Sequence, residues 1–164
     1  MNQKLSNWAS AAEILSGVAV IVTLLILIVG VRENTEITRT AMYGSITDQF
    51  NAFETEMLLN PDLRPIYFRY LNSEPGGFQP NDQESVAMMV AILFRTLDRA
   101  FAAKEKGQIG DEEWARLERS VCTNYKRAES FDQLPTVRFL TTDSFWEFAV
   151  ESCDDFTSPF SPRQ

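Results

Sequence analysis

A chain of 164 residues that is 45% hydrophobic and 12% aromatic has the size of one domain plus an appendage, with enough apolar mass for a packed core. Its 15 Lys and Arg against 23 Asp and Glu leave a net charge of -8, which excludes a surface built to neutralise nucleic-acid phosphates. Histidine is absent, and Ser-His and Cys-His nucleophile pairs, His-bearing zinc sites and a histidine proton switch are excluded with it.

Residues 1–10 read as a short N-terminal tail with one basic side chain, Lys4, and one aromatic at interfacial height, Trp8. The segment 11–31 reads as a transmembrane helix. From Ile14 to Val31 it carries no charge, and most of its residues are Ile, Leu or Val. At roughly -0.3 to -0.6 kcal/mol each near a bilayer centre, these residues outweigh Ser16, Gly17 and Thr23. A cleaved signal peptide is the rival reading. It is disfavoured because Glu13 abuts the apolar run and no small-residue cleavage site precedes Arg32 and Glu33.

Along this segment Ala12, Ser16, Ala19, Thr23 and Gly30 recur on one stripe, interrupted by Ile26. Small side chains let helix backbones approach, so the stripe predicts self-association or docking to another membrane protein. Arg32, Glu33, Asn34 and Thr35 follow at headgroup level, where they anchor the helix or meet a lipid phosphate. Basic residues are nearly balanced across the span, with Lys4 and the α-amine before it and Arg32 and Arg39 after it. The count leans toward a cytoplasmic placement of the large domain.

No Gly or Pro interrupts the chain just after Val31, so the helix is expected to leave the bilayer unbroken, its apolar stripe being Met42, Ile46, Phe50, Phe53 and Met57. Asn60-Pro61 ends it and opens a second helix with Leu63, Ile66, Tyr67, Tyr70 and Leu71 on one face. Asn72 to Pro80 is the clearest loop. A third helix runs to about Lys106 behind an Asn81–Glu84 capping box, and Val86, Met89, Val90, Leu93, Phe94, Leu97 and Phe101 make it the centre of the core. Met88 and Ile92 lie off that face.

Gly107 and Gly110 bracket a turn before a fourth helix from Asp111, with Trp114, Leu117, Val121 and Tyr125 inward. A segment around Pro135 comes next, then a short helix capped by Thr142 or Asp143 with Phe145, Phe148 and Ala149 inward. Residues 154–164 read as a disordered tail. The chain is therefore all-α: one N-terminal transmembrane helix continuing into an acidic domain, 32–153, built as a bundle of four to six helices. Cys122 and Cys153 either pair in an oxidising compartment or sit as two small hydrophobes in a reducing one. The second is favoured, because so aromatic a core needs no staple.

Ala11-Ala12-Glu13-Ile14, Arg32-Glu33-Asn34-Thr35, Asn60-Pro61-Asp62-Leu63-Arg64 and Asp111-Glu112-Glu113-Trp114 resemble motifs of a widespread group of uncharacterised bacterial single-pass membrane proteins with a small helical domain. The resemblance extends to about Trp146 and implies a bacterial inner (cytoplasmic) membrane location. It implies no catalytic residue and no substrate. Where that group often shows Gln-Ile-Arg, this chain has Gly30-Val31-Arg32.

Among polar candidates, Arg95, Asp98 and Arg99 on the third helix could hold an acidic ligand or form solvated pairs. Glu54 and Glu56 fall on different helix faces. With no histidine and two cysteines far apart in sequence, no metal and no cofactor are expected. The sequence thus predicts a non-enzymatic, membrane-anchored interaction module whose partners are the lipid bilayer and either its own copy or a subunit of a larger membrane complex. The alternative is a membrane-tethered sensor of a small or anionic ligand.

Overall fold

In a computed structural model the backbone is described for residues 2–72 and 80–156, and side chains for 15–72 and 81–156. The described residues form six helices and no strand: α1 (Asn2–Leu59), α2 (Leu63–Leu71), α3 (Pro80–Glu105), α4 (Asp111–Ser130), α5 (Leu134–Leu140) and α6 (Asp143–Cys153). The chain divides into two compact units, Met1–Thr38 and Arg39–Gln164.

The first unit is the N-terminal part of α1. Helix already runs through residues 2–10, for which the sequence predicts a tail; no Gly or Pro there breaks it. From Leu15 onward the side chains are exposed all round, including Leu15 at 72% and Ile26 at 67%. This one helix is long and apolar enough to cross a membrane.

In the second unit the apolar stripes read from periodicity become the core. On α3, Val86, Met89, Val90, Leu93, Phe94, Leu97 and Phe101 are all buried, and α3 packs against α2, α4, α5 and α6. Ile46, Phe53 and Met57 of α1 join that core, as do Tyr67 and Tyr70 of α2 and Trp114, Leu117, Val121 and Tyr125 of α4. An aromatic cluster joins three helices. Phe101 of α3 stacks on Phe148 of α6 at 5.0 Å between ring centres, and Trp114 of α4 lies 5.5 Å from Phe148. Phe145 meets both Phe94 and Phe101 edge-on.

The helix ends obey local chemistry. The Asn60 side chain accepts from the backbone N–H groups of Asp62 and Leu63 at 3.0 and 3.3 Å, so it caps the entry to α2 as its residue type predicts. Gly107, with φ 68°, ends α3; its N–H donates to the Lys104 carbonyl at 2.8 Å. Of the two candidate caps for α6, Thr142 is the one used, its hydroxyl oxygen accepting from Phe145 N at 3.4 Å. The predicted loop at 72–80 falls outside the described residues from 73 to 79, as does the predicted tail from 157 onward.

One expectation is corrected. Cys122 of α4 and Cys153 at the end of α6 form a disulfide, with Cα atoms 4.9 Å apart. Both residues are buried, as expected of two small hydrophobes, but the packing of α6 on α4 brings them to the same point. Periodicity within each helix carries no information on that meeting.

Candidate functional site

Four features of the described residues are candidates for function, and they lie in different places. The first is the exposed face of α1 in the first unit. Ser16, Ala19, Thr23 and Gly30 are all exposed. A Cβ added at Gly17 or Gly30 would meet nothing within 4 Å, so no contact within the chain requires glycine at either position. Leu25, Ile26, Val29, Gly30 and Glu33 line a shallow groove over the Gly30 notch. The Thr23 hydroxyl donates to the Ala19 carbonyl at 2.9 Å, which spends its proton within the helix and leaves its lone pairs as the part open to a neighbour. Thr35 and Thr38 bond back to Val31 and Asn34 in the same way, at 2.8 Å each. Arg32 and Asn34 are exposed, as is every other residue of this unit from 15 to 38, while the side chains of Trp8 and Ala12 lie outside the described residues.

The second is the set Arg95, Asp98 and Arg99 on α3. These three do not converge on a pocket. Both carboxylate oxygens of Asp98 accept from Thr142, one from its N–H and one from its hydroxyl. The Arg99 guanidinium donates to Gln49 Oε1 of α1 at 3.0 Å, and Arg95 is exposed. Two of the three therefore connect helices.

The third is a cleft of about 400 Å³ where the end of α1, the start of α2 and the first turns of α3 meet. Its walls are Met57, Leu63, Met88, Met89 and Ile92, with Asn81, Glu84 and Ser85 as the polar rim. Met88, at 67%, and Ile92, at 42%, lie off the apolar face in the sequence pattern, and they are indeed exposed. Three methionines make an adaptable apolar wall. Among the described lining residues one carboxylate and no basic group are found, which suits an apolar or cationic guest rather than an anion.

The fourth is a buried polar cluster that periodicity does not reveal. Tyr70 donates to Asn124 Oδ1 at 3.3 Å, and Asn124 Nδ2 donates to the Ser120 carbonyl at 2.9 Å. Burial pushes the Tyr67 phenol up to about 12, the Glu54 carboxylate pushes it the same way, and the positive Arg127 opposes both. Burial likewise raises Tyr70, with Arg127 again opposing. Arg127 itself is lowered by its own burial, partly offset by the two tyrosines. The only hint in the sequence is the presence of Asn124 and Arg127 on a helix whose apolar stripe already includes Val121 and Tyr125. The neutral phenols and the guanidinium belong to the joint between α2 and α4.

No protein-family model, no curated protein and no solved structure matches this chain. Among the described residues no group of three or more Cys, Asp or Glu side chains converges to hold a metal ion.

Proposed function

We propose that this chain is a membrane-anchored, non-enzymatic helical module that engages a protein partner through the lipid-facing part of α1. The partner is its own copy or a subunit of a larger assembly in a bacterial inner membrane, a location supported by the motif resemblance. One observation carries the reading: an uncovered apolar helix surface with Ser16, Ala19, Thr23 and Gly30 on one stripe and an open notch at Gly30. In water such a surface is a liability, whereas in lipid it is the solvent-facing side of a span. Within lipid, association depends on close backbone approach, which small residues permit and the surrounding Leu, Ile and Val do not.

The test replaces Ser16 and Ala19 with Leu in the full chain and tracks association in a membrane-association reporter. Association is expected to drop severalfold, while the same substitution at Val18 and Ile21, on the other side of the helix, leaves it unchanged. Equal signals from all three chains would remove the stripe from the argument.

A second reading, a tethered sensor of a small ligand, draws on the cleft walled by Met57, Leu63, Met88, Met89 and Ile92. It differs from the sequence expectation in ligand chemistry, since Arg95 and Arg99 do not line that cleft. An apolar dye whose emission rises with the wild-type chain and not with Met88→Glu, at an exposed cleft residue, would favour it.

A further inference from the structure

The chain has two cysteines, 31 positions apart in sequence, and both are used in one bond between α4 and α6. Neither sulfur is at the surface: Cys122 is 3% exposed and Cys153 0%. The bond joins α4 to the last turn of α6, the helix that carries Phe145, Phe148 and Ala149 into the core. This is the place of a structural staple, enclosed by apolar neighbours, rather than of an exposed redox pair. A dithiol in a compartment poised by a large thiol pool is kept reduced, whereas a buried structural disulfide persists where the environment is oxidising.

We propose that Cys122 and Cys153 are the substrate of a thiol–disulfide oxidant, and that the unit Arg39–Gln164 therefore stands on the oxidising side of the membrane. In the reaction an oxidant disulfide accepts two electrons and the two thiol protons. The Cys122 and Cys153 S–H bonds break, one S–S bond forms between them, and the oxidant leaves as two thiols. The assignment reverses the lean drawn from flanking charge. That lean rested on Arg32 and Arg39 against Lys4, a difference too small to fix orientation, and a long domain beyond a span crosses largely regardless of its charge. It rests on the membrane-anchored reading above and adds the side on which any partner of the domain must be found.

The experiment uses the full chain in sealed right-side-out membrane vesicles, treated with a membrane-impermeant amine reagent, and reads Lys106 and Lys4 by mass spectrometry. Lys106 is exposed on the second unit, and Lys4 lies on the other side of the apolar segment in sequence. Labelling of Lys106 to the extent seen after permeabilisation, with Lys4 labelled only after permeabilisation, is the expected result. In parallel the chain is denatured and treated with a maleimide–polyethylene glycol. No mass shift before reduction and two additions after it are expected.

The reverse labelling pattern, or two additions without reductant, overturns the proposal. Alkaline extraction of the same vesicles separates the two readings. A chain released into the supernatant ends the membrane anchoring itself, whereas a retained chain with reduced cysteines ends only the orientation.

Discussion

Thr142 gives both its backbone N–H and its hydroxyl to the carboxylate of Asp98, at 3.1 and 2.7 Å, across 44 residues of sequence. The same hydroxyl oxygen accepts from Phe145 N, so one side chain caps α6 and binds its first turn to α3. Asp98→Ala and Thr142→Ala are each expected to lower stability by about 1 kcal/mol, the usual size for a lost cap or a partly exposed charged hydrogen bond. Because both remove one network, the double variant is expected to lose clearly less than the sum. Denaturant titration of the full chain in detergent checks this, and additive losses would show that the two residues act separately.

Phe94 and Phe139 separate burial from composition. Phe94 is 0% exposed and packs edge-on against Phe145, whereas Phe139 on α5 is 86% exposed. Phe94→Ala is expected to destabilise by about 3–5 kcal/mol through lost transfer energy and the cavity left behind. Phe139→Ala is expected to stay within about 0.5 kcal/mol. Thermal melts of the two variants side by side decide it, and a large loss at Phe139 would mean that something covers it.

Helix positions and inward faces are readable from the sequence because they depend on spacing within one segment. The stripe of α3 from Val86 to Phe101 is buried throughout, and Met88 and Ile92 face outward as their angular position requires. What joins helices is not readable in this way. The Asp98–Thr142 pair, the Tyr70–Asn124 bond and the Cys122–Cys153 bridge each depend on the rotation and offset of two helices, which no local period encodes. The polar residues of α3 illustrate the difference: spacing alone groups Arg95, Asp98 and Arg99 as a candidate ligand site, and packing distributes two of them to α1 and α6.

Alkaline pH should weaken the second unit at the tyrosines. Burial favours the neutral phenol of Tyr67, so its pKa is raised from 10.0 to about 12 in the folded chain. Its contribution is complete below the ordinary tyrosine pKa and is lost as pH rises from 10.0 through about 12, because the unfolded chain ionises first. Tyr70 shifts in the same direction and adds to the loss. Stability measured by urea titration at several pH values is expected to fall across this window. Tyr67→Phe is expected to fall less steeply, because the replacement has no phenol to ionise. Parallel curves for the two chains would place the alkaline sensitivity elsewhere.

Two glycines in the second unit should respond to alanine with opposite sign. Gly107 has φ 68°, where an L side chain is strained, and its carbonyl accepts from Arg39 Nε at 3.0 Å, so the turn ties α3 to α1. Gly107→Ala is expected to cost roughly 1–2 kcal/mol from backbone strain alone. Gly44 sits inside α1, and an added Cβ there would meet nothing within 4 Å. Gly44→Ala therefore removes backbone entropy from the unfolded chain without a clash and is expected to stabilise by roughly 0.5–1 kcal/mol. Denaturant midpoints of the dilute chain in detergent measure both. If Gly44→Ala destabilises instead, and only at concentrations where the chain associates, then the surface of Ala41, Gly44, Ser45 and Ala52 is held against a second molecule rather than open to solvent.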